Sequence, residues 1–458
     1  MNKINENNEN KDEIIMLKNE DNSKFKNLTE KSQNKVNKKK FTFIILFTLL
    51  FIPIFYLLNY FKQEMQISLN DFFELQFTHQ KNSFIINDTL IKDLNDFMKL
   101  CKNGTLINGI QKSSQKPKIT VVVPVYNAEK TIKMTIRSIQ NQNMSDIEII
   151  IIDDFSQDGS LRIIERLQNE DSRIKLLKNK HNRGALYTRS IGTLNAKGKY
   201  IMPIDNDDLF IKNIFNICYE EAELNNIDII EFSGYNTYYN YILPNSTSNM
   251  TLNIPLYLQF KEDGLIVRQP ELSTFMYQKK NNSDDYTLID GLIWGKCIKI
   301  SVYKKALDLA RDIIYNEKIN WCEDRIINFF LLRVAYSFKF IKKDGIIHFV
   351  AKSTTGHKFM NEKKNSMFQQ EFIYVTMVYN ITKNTEEAVF SAVEFKNAWS
   401  SYFFGLNEEN KKMALSVYSK IVSCTNISAN VREELSIKVK NTLIKENEIF
   451  RYYHQIFE

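Results

Sequence analysis

Three groups of acids stand where this chain could do chemistry. Asp205-Asn206-Asp207-Asp208 follows the apolar run KYIMPI at 199–204. Carboxylates two positions apart beyond a buried strand can share one hard divalent ion, with a diphosphate completing the oxygen shell. Such an ion offsets charge growing on a leaving diphosphate. The plain alternative is an acidic turn capping a helix that starts near Leu209. Asp153-Asp154 closes the run IEIIIIDD at 147–154. A carboxylate there can accept an imide N–H of a base or bond a ribose hydroxyl; the alternative is capping of the turn Ser156-Gln157-Asp158-Gly159, and either acid can take either job. Glu323-Asp324 opens a helical stretch. Acids in a first turn complement the helix dipole; the functional reading is a general base for an acceptor hydroxyl. Arg183, Arg189 and Lys199 can reach a diphosphate, with solvated surface as the alternative and the reading preferred for Lys199. His348, before Lys352 and Ser353, ends a strand, where a lone His is more often structural.

The elements that must hold these residues are regular in the first half of the chain. ITVVVPVY (119–126) and IEIIIIDD (147–154) read as buried strands, and RIKLLKN (173–179) and KYIMPIDNDD (199–208) as a third and a fourth strand. Helices over 127–142, 156–170 and 183–198 alternate with them, with Ile132, Ile136 and Ile139 on one face of the first. Strands alternating with helices predict an α/β fold with a mainly parallel sheet. Ligands in such sheets bind beyond the carboxyl ends of the strands, where Tyr126-Asn127, Asp153-Asp154 and Asp205–Asp208 fall. The second half is less regular. Residues 234–290 read as polar loops, 292–307 as a strand entering a helix, 321–337 as an amphipathic helix, 346–359 as a strand and polar loop, and 360–458 as helical.

Lys+Arg 61 against Asp+Glu 54 gives +7 over 458 residues, too weak to argue for nucleic acid. Apolar residues at 43% and charged residues at 25% exclude a wholly disordered or fibrous chain. Five Cys, at 101, 218, 297, 322 and 424, form no CxxC pair and no zinc spacing. Residues 41–61 run 21 positions without a charge, enough to cross about 30 Å of hydrocarbon. Lys35, Lys38, Lys39 and Lys40 before the run place its leading side in the cytosol and the remainder outside it. The expected organisation is a disordered cytosolic tail at 1–40, a transmembrane signal anchor at 41–61, a stem at 62–116, a catalytic α/β domain at 117–355 and a helical extension at 356–458.

VVVPVYNAEKTIKMTIRSIQNQ, IEIIIIDDFSQDGS and NRGALYTRSIGTLNAKGKYIMPIDNDD together resemble the family 2 glycosyltransferases of the GT-A fold over residues 118–210. A weaker likeness runs through IWGKCIKISVYKKAL and CEDRIINFFL to about residue 355. The resemblance implies a nucleotide-diphospho-sugar transferase fold and inverting transfer from a nucleotide-sugar, usually a UDP-sugar, with Mn²⁺ or Mg²⁺. By that likeness Pro124, Tyr126 and Asn127 line the base, Asp154 contacts the uridine, and Arg189 lies near the ribose or diphosphate. Asp205 sits at the ribose, Asp207 holds the metal, Asp324 is the catalytic base, and His348 lies in the donor-side loop. Arg325 departs from the pattern, which more usually has a neutral residue after the acidic pair. The QxxRW motif of processive synthases is absent. The expected acceptor is a glycan or glycoprotein, met by a luminal domain in the Golgi or ER. The alternatives are an inactive protein that binds nucleotide or glycan, and a synthase that loads sugar onto a dolichyl-phosphate lipid.

Overall fold

A computed structural model describes residues 116–238, 254–256, 263–274, 278–279, 286–287, 292–350, 358–402 and 406–457, all in one compact unit spanning 86–458. The tail, the anchor and all but the last residue of the stem lie outside the described residues. Among the described residues, no helix is long and apolar enough to cross a membrane.

The first half alternates strand and helix. β1 (Ile119–Val125) and β2 (Ile147–Asp153) are buried at every position, because helices cover both faces of the sheet. Val122, Ile150 and Ile152 enter one apolar layer, while Val121, Val123, Ile149 and Ile151 enter the other. This is the two-residue period of a strand. α1 (Ile132–Gln140) packs Ile132, Ile136 and Ile139 onto the second layer. α2 (Ser160–Glu170) leads to β3 (Ile174–Lys178), and α3 (Ala185–Asn195) to β4 (Tyr200–Pro203). These four strands pair in parallel in the order β3-β2-β1-β4.

Two expectations are corrected after β4. Leu209 does not open a helix: β5 (Leu209–Phe210) pairs antiparallel with a later strand, and α4 (Ile214–Leu224) starts after Asn213. The sheet is mixed rather than mainly parallel. β6 (Ile229–Tyr238) carries β7 (Ile254–Leu256) on its edge. Beyond them come β8 (Ile266–Arg268), the short helix α5 (Glu271–Thr274) and a separate ribbon of β9 (Gln278–Lys279) and β10 (Tyr286–Thr287). β11 (Lys296–Lys299) runs antiparallel to both β4 and β6, so the parallel run ends at β4. α6 (Ile300–Leu309), α7 (Arg311–Asn316) and α8 (Glu323–Val334) then return the chain to β12 (Ser337–Val350). β12 runs parallel to β6 and antiparallel to β5 and β8.

The C-terminal region is helical, as its sequence predicts. α9 (Lys358–Thr382), α10 (Val389–Tyr402), α11 (Glu408–Val422) and α12 (Ala429–Phe457) build a core around Phe368, Phe372, Phe395 and Trp399. It is not a separate body: Tyr374, Met377, Val378 and Phe390 enter the same apolar cluster as Ile326, Phe329 and Phe330 of α8.

Candidate active site

The carboxyl ends of β1, β2 and β4 converge. Past β1, Tyr126 is 49% exposed and Asn127 takes a left-handed φ of 52°. The Asn127 N–H donates to Ser156 Oγ at 3.0 Å, and its Oδ1 accepts from the Gln157 N–H at 2.8 Å. Phe155, past β2, is also left-handed at 66° and is 47% exposed. The two strand ends are thus laced together with their rings outward.

The structure divides the Asp153-Asp154 pair. Asp154 ties down the turn before α3: its oxygens accept from Asn179 Nδ2 at 2.8 Å and from the N–H groups of Arg183 and Gly184 at 2.8 and 2.9 Å. Gly184 has φ +89°, and a Cβ there would meet the Ile319 carbonyl at 2.8 Å, so no other residue fits this turn. Asp153 accepts from the Ser156 N–H at 3.2 Å through Oδ2, while its buried Oδ1 has no partner. Asn182 likewise has a buried, unpartnered Oδ1.

Arg189 is the hub. It sits on α3, 3% exposed, and donates to Asp205 Oδ1 at 2.7 Å, Asp324 Oδ1 at 2.9 Å and Glu323 Oε1 at 3.4 Å. Burial alone disfavours its charge, but Asp324, Asp205 and Glu323 hold it firmly protonated. One guanidinium therefore joins the acidic loop after β4 to the N-terminus of α8. Burial raises both acids of α8. Glu323 is pushed up to about 8 by burial and by Asp324, against the pull of Arg189. Burial also pushes Asp324 up, with Asp205 adding to it, while Arg189 and a backbone hydrogen bond from Ile293 oppose the shift.

The acidic loop is fixed from both sides. Asn206 Nδ2 donates to the Pro124 carbonyl at 3.0 Å, and Thr135 Oγ1 donates to the Asn206 carbonyl at 2.9 Å. Asp208 is fully buried; its oxygens meet His348 Nδ1 at 3.0 and 3.1 Å and accept from the Phe349 N–H at 3.1 Å. The His348 ring stacks on Trp294 at 4.7 Å. Burial works against the imidazolium, yet Asp208, with Asp205 and Asp207, brings His348 up to about 9. Asp207 keeps its carboxylate out of these pairs. Burial and the neighbouring Asp208 and Asp205 push it up to about 8.

That crowding fits a divalent cation. A hard oxygen donor whose charge is opposed by burial and two neighbouring acids is returned to its ordinary range by a bound ion. The residues present supply Asp207 alone as the uncommitted ligand. Among the described residues, no group of three or more His, Cys, Asp or Glu forms a ready-made metal site. A surface cavity of about 680 Å³ runs along α4, lined by Ile217, Tyr219 and Glu221, and holds none of these residues.

The structure brings Asp205, Arg189 and Asp324 into direct contact and sets Pro124 and His348 against the same acidic loop. The terminal nitrogens of Arg189 face Asp205, Asp324 and Glu323, and its buried Nε has no partner. Arg183 stacks on Tyr187 at 4.2 Å and donates to the Tyr315 carbonyl. Lys199 pairs with Glu223 at 2.6 Å. Phe155 and Asn182 were not singled out from the sequence. Phe155 carries a signal there, an aromatic residue directly after a strand-ending acid pair; Asn182 carries none.

The chain thus has an α/β fold of GT-A type with a mixed sheet, acids at the strand ends and an acid pair at the start of a later helix. The family model described as Glycosyl transferase family 2 matches residues 120–292. Glycosyltransferase GlyG of Streptococcus pneumoniae is 33% identical over 27% of this chain and 40% of its own length. EpsJ of Bacillus subtilis, an uncharacterized glycosyltransferase, is 28% identical over 49% of this chain and 59% of its own. WfgD of Escherichia coli, a UDP-Glc:alpha-D-GlcNAc-diphosphoundecaprenol beta-1,3-glucosyltransferase, is 33% identical over 28% and 48%. The chain thus spans about half the length of these curated relatives. The crystal structure of Staphylococcus aureus TarS 1–349 in complex with UDP-GlcNAc shares the fold, with TM-score 0.51 and 16% identity over 74% of this chain and 92% of that one.

Proposed function

We propose that this chain is an inverting glycosyltransferase that moves a sugar from a UDP-sugar to a hydroxyl of a glycan or glycoprotein. The observation that carries the reading is Arg189, which bridges Asp205 on the donor side to Glu323 and Asp324 on the acceptor side. One buried cation, 16 residues from Asp205 and 135 from Asp324 in sequence, joins the two half-sites.

Tyr126, Phe155, Asp153 and Asn182 receive the base and ribose, with Asp154 holding the turn beneath them. Asp324 accepts the proton of the acceptor hydroxyl as its oxygen bonds to the anomeric carbon. The bond from that carbon to the diphosphate breaks on the opposite face, and its electron pair leaves with UDP. Arg189 positions Asp205 and Asp324 and opposes the upward push of burial on Asp324. His348, protonated at neutral pH, faces the loop as a fixed cation. A divalent cation, Mn²⁺ or Mg²⁺, held by Asp207 would supply compensation for charge on the departing diphosphate.

Release of UDP from UDP-GlcNAc, UDP-glucose or UDP-galactose by the full chain tests the reading. Asp324→Asn should abolish release while UDP still binds; full release by that variant would remove Asp324 as the base. A lipid-linked acceptor is the second reading. It is favoured by WfgD and by the Campylobacter jejuni GalNAc(5)-diNAcBac-PP-undecaprenol beta-1,3-glucosyltransferase, 33% identical over 23% of this chain. Transfer to a polyprenyl-diphosphate sugar in detergent, with none to free oligosaccharide, would select it.

A further inference from the structure

Arg325 stands next to the proposed base, and its guanidinium reaches into the C-terminal helices. One terminal nitrogen meets Glu371 of α9, and the other donates to Glu394 of α10 at 3.1 Å. Both acids are buried, Glu394 at 1% exposure. The guanidinium lies over the Tyr374 ring at 4.9 Å, and the Tyr374 hydroxyl donates to Glu394 at 3.1 Å.

The same helices hold the loop that enters α8. Gln370 Oε1 accepts from the N–H groups of Asn320 and Trp321 at 2.7 and 2.9 Å, and the Trp321 indole N–H donates to Glu371 at 2.8 Å. The next residue, Cys322, is left-handed at φ 59°. That conformation is unfavourable for a non-glycine residue and persists only where its surroundings over-determine it. From the other side, the N–H groups of Ala185 and Leu186 donate to Asn320 Oδ1 and the Ile319 carbonyl at 3.0 and 3.1 Å. The elbow at 319–322 is thus gripped between α3, which carries Arg189, and α9. Its geometry sets where Glu323 and Asp324 enter the site.

We propose that Arg325, with Gln370, Glu371 and Glu394, forms a set of positioning residues for Asp324, so that the C-terminal helices are a working part of the transfer site. The proposal rests on the transfer reading with Asp324 as base. A guanidinium can serve two acids on two helices at once, whereas a lysine ammonium is a single point charge. A small displacement of a reacting group can cost about 100-fold in rate.

The test uses the full chain, with UDP release from whichever of UDP-GlcNAc, UDP-glucose and UDP-galactose the wild type turns over, and UDP affinity beside it. Arg325→Lys should lower kcat about 10- to 100-fold with donor KM and UDP Kd unchanged. Arg325→Met leaves two buried acids unpaired and endangers folding. The triple variant Arg325→Met/Glu371→Gln/Glu394→Gln removes all three charges and should fold, bind UDP and turn over slowly. Wild-type kcat in either folded variant overturns the proposal, as does a parallel loss of kcat and UDP affinity. A wild type that neither binds UDP nor releases it sinks the transfer reading separately. The set is then judged by hydrogen exchange at the 320–325 amides, which must speed up in Arg325→Lys; unchanged exchange overturns it.

Discussion

At Arg189 a single buried guanidinium decides which carboxylates can act. It pairs with Asp205 and Asp324 and opposes the upward push of burial on Asp324, while burial and the neighbouring Asp208 and Asp205 push Asp207 up to about 8. Asp324→Asn should therefore cut UDP release by about 10²–10⁴-fold, the usual worth of a general base, with UDP affinity unchanged in a calorimetric titration. Asp207→Asn should do the opposite to fold and ligand. It should raise the melting temperature of the ligand-free chain at pH 8, because the buried charge is gone, and abolish any effect of Mn²⁺ on UDP binding. The pH dependence has a fixed sign. Asp207 and Glu323 are raised to about 8 from ordinary values of 3.8 and 4.5, so the folded chain retains protons that the unfolded chain loses. His348, raised from 6.5 to about 9, adds stability that is fully present below 6.5 and lost as pH rises through 9. The urea midpoint of the ligand-free chain should fall between pH 5 and 9; a midpoint that rises over that range contradicts the account. Carboxylates held low by partners, such as Glu170 by Arg137, act only below about 4.5. The acids themselves were legible in the sequence because each follows an apolar run or opens a helix. Their division of labour was not. Nothing local separates Asp153 from Asp154, and the partner of Asp208 lies 140 residues away at His348.

Among the elements, α3 places Arg189, and its seat against the sheet is tight. A Cβ at Gly192 would meet Ile152 Cδ1 at 2.5 Å and Val122 Cγ1 at 2.6 Å. Gly192→Val should destabilise the chain by about 1–3 kcal/mol through overpacking. It should also lower turnover, because the helix that carries the hub is pushed off β1 and β2. Chemical denaturation checks the first effect, and wild-type stability in that variant would show that α3 has room to move. β1 and β2 were legible because burial on both faces gives near-continuous β-branched runs, and β3 and β4 because they follow in a helix-strand rhythm. Only the last five residues of β6, 234–238, fall in the region read as polar loops; its core position 231 is Glu, paired at 2.9 Å with the equally buried Lys296 of β11. A buried ion pair between strands reads as surface in a linear sequence. β5 was misread because Asp at a helix start and Asp before a two-residue strand carry the same local signal.

In the molecule as a whole, catalytic and C-terminal parts share one core, since Tyr374, Met377, Val378 and Phe390 pack with Ile326 and Phe329. Removal of residues 356–458 should therefore abolish cooperative unfolding, as seen by calorimetry, instead of releasing an intact domain. A truncated chain with wild-type turnover would show that the boundary read near residue 355 separates two independent parts. That coupling was not legible because helical periodicity shows which face is apolar but not which partner covers it. The central claim is a UDP site at the ends of β1, β2 and β4 with Asp207 as its metal ligand. Thermal unfolding of the full chain with UDP, with and without Mn²⁺, in wild type and Asp207→Ala tests it most directly. UDP at 100 times its Kd should stabilise the wild type by about 2.7 kcal/mol, with a Mn²⁺-dependent part that the variant lacks. A well-folded wild type that shows no shift with UDP under either condition would contradict it.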